Sequence, residues 1–107
     1  MRFSAKTISV YNTGIPKNYM TINEAYVLEE DAKDVIFELI TPKKGEWARE
    51  VRNYIELRSF ARAIEILESQ QWNETIKYAL HAAKILAALP PEKPRVRHVV
   101  SVWRAKN

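Results

Sequence analysis

The segment GEWAREVRNYIELRSFARAIEILESQQ, residues 45–71, decides how this chain folds. It holds no proline and no glycine after its first residue, so it predicts helix along its length. Successive residues on a helix rotate by about 100°. In the first half Trp47, Val51, Tyr54 and Ile55 therefore share one side, with Arg49, Arg52 and Glu56 opposite. In the second half Leu57, Phe60, Ala61, Ile64 and Leu67 form the apolar side, with Arg58, Arg62 and Glu65 opposite. The two apolar sectors lie roughly 130° apart by the same rotation. Drift of a straight helix against a heptad is only about 20° per seven residues, too little to explain the switch. Either the helix breaks near Glu56 and Leu57, or one continuous helix lies between bodies on opposite sides. The absence of a helix breaker favours the continuous helix, with Arg49 and Arg52 pointing away from Arg58 and Arg62.

On the C-terminal side, Asn73 can cap a further helix, NETIKYALHAAKILAAL. Ile76, Ala79, Leu80, Ala83, Leu86 and Ala87 share one face of it, and Tyr78, Ala82, Ile85 and Leu89 cover much of the other. A helix apolar nearly all round is buried between neighbours. PPEKP stops it, and the valine-dense VRHVVSVW reads as a strand. On the N-terminal side, Thr21 and Glu24 in TINE have capping-box spacing. Ala25, Leu28, Ala32, Val35, Ile36 and Leu39 then recur at helical intervals until Thr41-Pro42. A rival reading makes YMTINEAYVL and VIFELI two strands; the helical periodicity is preferred. Residues 2–11, RFSAKTISVY, are rich in β-branched and aromatic types and read as a strand, followed by the turn-forming NTGIPKN. The expected fold class is α+β, mainly α: a three-helix core with short terminal β-strands able to pair. It forms a single domain, 1–107, divided into an N-terminal strand and loop (1–20), a helical core (21–89) and a C-terminal basic strand (90–107).

A length of 107 residues suits one domain with one modest core. With 47% hydrophobic and 28% charged residues the chain belongs among globular proteins rather than disordered ones. No apolar run approaches the roughly 20 residues of a membrane span, and the N-terminus lacks signal-peptide features. The expected setting is the cytoplasm, compatible with the lack of cysteine. Scarce glycine and high charge density also suit a thermophile. The net charge of +4 is unevenly spread. Arg2, Lys6 and Lys17 stand among residues 1–23 without an acid, and Arg95, Arg97, Arg104 and Lys106 among residues 94–107 likewise. Between them Glu24, Glu29, Glu30, Asp31, Asp34 and Glu38 face one lysine, Lys33. Such asymmetry points to polyanion binding, to self-association, or to both.

No catalytic pattern is present. His81 and His98 lack companion ligands at zinc spacing, and no serine stands in a nucleophile-elbow context. Two glycines cannot build a phosphate-cradling loop. Adjacent Glu29, Glu30 and Asp31 splay apart on a helix rather than converge. The sequence thus predicts no enzyme activity, no metal, no cofactor and no small-molecule substrate. The segment FARAIEILESQQWNETIKYALHAAKILAAL resembles the helical hairpin of HEPN domains. The resemblance implies a nuclease only where an arginine precedes a histidine by four to six intervening residues, and neither His81 nor His98 meets that condition.

Basic residues with interleaved aromatics remain as the candidate site. Arg49, Arg52, Arg58 and Arg62 lie on the long helix, and Arg95, Arg97, Arg104 and Lys106 surround Trp103 in the tail. Cations neutralise phosphates and an aromatic face stacks on an unpaired base. Glu46, Glu56 and Glu65 sit at or near helical pairing distance from the arginines, so each arginine has a solvated, ion-paired alternative. Trp103 has the alternative of anchoring a terminal strand. In size, charge and helical layout, residues 43–89 resemble the small subunit of archaeal type I CRISPR effector (Cascade) complexes. The N-terminal strand and loop fall outside that resemblance. It implies a non-catalytic subunit of a nucleoprotein assembly in antiviral defence, with DNA or RNA and neighbouring protein subunits as partners. Arg49, Arg52, Arg58 and Arg62 would then contact backbone. The alternative is an interaction module or small viral or plasmid regulator that self-associates through its strands, its acidic 24–38 helix meeting a partner's basic termini. A free-standing DNA-binding regulator is disfavoured, because no short glycine-containing turn joins the later helices.

Overall fold

Ser4 starts the first helix where the composition predicts a strand. In the computed structural model, which describes residues 3–16 and 20–90, the Ser4 hydroxyl accepts from the Thr7 amide at 3.1 Å and caps helix α1, Ala5–Thr13. Thr7 and Val10, three residues apart, are its buried positions. The β-branched density of RFSAKTISVY is thus overridden by a cap and a helical burial pattern. Gly14, at φ 79°, ends the helix in a conformation that costs other residues more.

Helix α2, Ile22–Ile40, begins with the expected capping box: Thr21 and Glu24 each accept from the other's backbone amide. Ala25, Leu28, Ala32, Val35, Ile36 and Leu39, the predicted stripe, are all buried. Helix α5, Glu74–Ala88, is capped by Asn73, whose carbonyl oxygen accepts from the Ile76 amide at 2.9 Å. Its face Ile76, Ala79, Leu80, Ala83 and Leu86 is buried, and so are Ala82, Ile85 and Leu89 opposite; Ala87 is exposed. This all-round burial places α5 at the centre, packed most extensively on α2 and also on its other neighbours.

The segment 45–71 is two helices, α3 (Glu46–Glu56) and α4 (Phe60–Glu68), packed on each other. The continuous helix is therefore corrected to a hairpin. The chain turns at Arg58, the one non-glycine residue with positive φ (62°) among the described residues. Ser59 N–H reaches back to Tyr54 O at 2.8 Å and Arg58 N–H to Ile55 O at 3.1 Å. That pair of bonds is a Schellman closure with arginine in the left-handed position. The turn resolves the switch of apolar stripe: Val51 and Ile55 on α3 and Ala63 and Leu67 on α4 all enter one core.

Among the described residues the architecture is a five-helix bundle with no strand. This corrects the α+β expectation, whose N-terminal strand is α1. The expected C-terminal strand, VRHVVSVW, lies outside the described residues, as do Arg95, Arg97, Trp103, Arg104 and Lys106. No helix among the described residues is long and apolar enough to cross a membrane.

Candidate nucleic-acid interface

The acidic helix is largely consumed within the chain. Lys6 on α1 donates to Asp34 at 3.0 Å and stands 4.0 Å from Asp31. The hydrogen bond from Lys6 to Asp34, and then its charge, raise the lysine pKa above the ordinary value. Ser4 donates to Glu38 at 3.2 Å. Together these contacts run α1 antiparallel to α2. Part of the basic N-terminus thus meets the acidic helix inside one molecule, a pairing the sequence reading had assigned to a partner's termini. Glu29, Glu30 and Asp31 splay as expected: Glu29 faces Arg58, Glu30 lies 3.9 Å from Lys33, and Asp31 faces Lys6.

The four helix arginines separate into unlike environments. Arg58 is bound bidentately to Glu29, Nη2 to Oε1 at 3.0 Å and Nη1 to Oε2 at 3.3 Å. Its guanidinium also lies 5.7 Å from the centre of the Phe60 ring. The Glu29 side chain is only 8% exposed, so this arginine fixes the α3–α4 turn onto α2. Arg62 is on the solvent side of α4, 3.8 Å from Glu65, with both side chains about 70% exposed. That is the solvated ion pair of a helix surface, of small energetic weight.

Arg49 and Arg52 belong to a different place. They line a concavity of about 340 Å³ at the α2–α3 corner, with Lys43, Lys44, Thr41, Gly45 and Ala48. Arg52 Nη2 donates to Thr41 Oγ1 at 2.9 Å, and the Thr41 hydroxyl in turn donates to the Phe37 carbonyl. This relay holds one guanidinium in place from the end of α2. No ion pair among the described residues uses Lys43, Lys44, Arg49 or Arg52. Gly45 precedes α3 at φ 138° and offers no side-chain cap, so the positive end of the helix dipole adds to the same corner. Glu46 and Glu50 follow on α3 but do not line the concavity.

Lys43 and Lys44 were missed because TPKKG reads as a helix-ending loop. The signal was present as two lysines directly before an uncapped helix start. At the opposite end of α2, a second concavity of about 440 Å³ carries Glu24 and Asp31 on an apolar floor of Met20, Val27 and Leu28. Its carboxylates disfavour a polyanion, so the charge of the bundle is polarised along α2.

His81 is the described histidine. Its Nε2 is buried without a hydrogen-bond partner among the described residues, and its ring lies 4.7 Å from that of Tyr11. Burial, and then the charge of Lys84, hold its pKa below the ordinary value. No group of three or more His, Asp or Glu side chains suited to a metal ion occurs among the described residues. No family model, curated protein or solved structure matches this chain significantly.

Proposed function

We propose that this chain is a non-catalytic subunit that contacts nucleic-acid backbone through the basic corner at Lys43, Lys44, Arg49 and Arg52, within a larger assembly. The observation that carries the reading is four cations lining one concavity without a carboxylate partner among the described residues, whereas Lys6, Lys33, Arg58 and Arg62 each face a carboxylate. Unpaired, partly fixed cations release counterions when they meet phosphates, whereas paired ones must first lose their partners. The guanidinium of Arg52, already oriented by Thr41, is suited to a phosphodiester oxygen pair. Of the four helix arginines named from sequence, this reading keeps Arg49 and Arg52 as contacts, makes Arg58 a clasp and leaves Arg62 as solvated surface. The tail residues Arg95, Arg97, Trp103, Arg104 and Lys106 stand as further contacts by sequence alone. The likeness to the Cascade small subunit supports a role beside nucleic acid in antiviral defence, with protein neighbours completing the assembly.

The test is filter binding of single- and double-stranded DNA and RNA at two salt concentrations. The expected result is salt-sensitive binding that Arg49→Gln with Arg52→Gln weakens on the order of tenfold, while Arg62→Gln stays near wild type. Absence of salt-sensitive binding to all four nucleic acids overturns the proposal.

A further inference from the structure

We infer that the α3–α4 hairpin is a latched hinge, and that unlatching it lets two copies of this chain exchange α4 and α5. The first observation is conformational. The chain reverses at Arg58 in the left-handed region, although residues 46–68 contain neither glycine nor proline. A side chain in that region carries a steric penalty that an α-helical arginine does not. A straight helix across the turn would also gain the backbone bonds that the turn interrupts.

The second observation is what holds the turn closed. Arg58 is bound by both guanidinium nitrogens to Glu29 in the middle of α2, with Phe60 beneath it. The residue in the strained position is thus the residue that makes the tether. Strain and latch oppose each other at one site, which is the arrangement that short, strained hinges use in domain exchange.

The third observation is the apolar pattern. Val51 and Ile55 on α3, and Ala63 and Leu67 on α4, would lie about 120° apart around a straight 46–68 helix, too far apart for one flat contact face. Such a helix buries both stripes only between two bodies. In the exchanged state one body is the chain's own α1–α2 and the other is the α3 and α5 neighbourhood rebuilt with the second copy. The α3–α4, α2–α5 and α1–α5 packing is restored between chains, the other packed pairs stay within each chain, and only the turn at 57–59 is new. A second copy is therefore the occupant that fits, because it supplies the faces that α4 and α5 leave.

The test compares Arg58→Ala with Arg58→Gly by light scattering after size-exclusion chromatography. Both variants lose the tether, but glycine relieves the left-handed penalty and alanine does not. The penalty acts at both hinges of a dimer. At roughly 5-fold per hinge, the alanine variant should dimerise about 25-fold more tightly than the glycine variant. The isolated alanine dimer should also persist for hours after dilution, since exchange requires α5 to leave α2, whereas a surface dimer re-equilibrates quickly. Arg58→Gly, with a relaxed turn, should stay folded and monomeric. Equal dimerisation of the two variants, monomers in both, or a dimer that dissociates on dilution within seconds would each overturn the inference.

Discussion

Replacing Glu29 by glutamine tests the tie between α2 and the α3–α4 turn. Glutamine keeps the size of the side chain and one acceptor oxygen but removes the charge and one of two bonds to Arg58. Breaking a fully buried ion pair costs about 3–5 kcal/mol, and an exposed pair is worth about 0.2–1 kcal/mol. Here the carboxylate is 8% exposed and the guanidinium 39%. Water therefore screens one partner, and the expected loss is about 1–2 kcal/mol, between those limits. For a domain of this size that lowers Tm by roughly 5–12 °C. The assay is urea denaturation followed by circular dichroism at low protein concentration, with Arg62→Gln as control. The Arg62–Glu65 contact is open to water on both sides, so the control should lose less than about 0.5 kcal/mol. Identical midpoints for Glu29→Gln and Arg62→Gln would refute the claim that the turn is tethered.

Gly45→Ala should lower stability by about 1–3 kcal/mol, because φ 138° is a backbone conformation that side-chain-bearing residues rarely adopt; an unchanged urea midpoint contradicts that geometry. His81 has a folded pKa below its unfolded value, so the unfolded chain binds more protons. Stability should fall as pH drops from about 7.5 through about 6.5, then level once pH passes the folded pKa. His81→Phe should flatten this part of the pH profile, and NMR titration of His81 at or above the ordinary imidazole value would contradict it.

The parts of the fold legible in sequence are those where the deciding interactions are local. Thr21 and Glu24 lie one turn apart, and the α2 stripe follows from the rotation of a helix. Asn73 and the all-round apolar α5 are legible for the same reasons. What failed was set by a cap that residue composition hides, or by distant partners. α1 reads as a strand from its Ile, Val and Thr content, yet Ser4 caps a helix that Lys6 ties to Asp34. The reversal at Arg58 has no glycine to announce it, and its latch, Glu29, is 29 positions away in the sequence. The stripe switch at Glu56 and Leu57 did mark the place, but not the choice between a turn and a sandwiched helix. Within the site, rotation alone separated Arg49 and Arg52 from Arg58 and Arg62. Folding was needed to bring Lys43 and Lys44 beside the first pair.

The most direct test of the α2–α3 corner is the slope of log binding constant against log salt concentration for single-stranded nucleic acid. It should be measured for the wild-type chain and for the variant Lys43→Gln, Lys44→Gln, Arg49→Gln, Arg52→Gln. Each phosphate contact contributes about 0.7 to that slope, so losing four should make it shallower by about 2.8. The variant should unfold near the wild-type midpoint, since none of the four cations is ion-paired among the described residues. A folded variant that binds with the wild-type slope would contradict the account and place the contacts elsewhere in the chain.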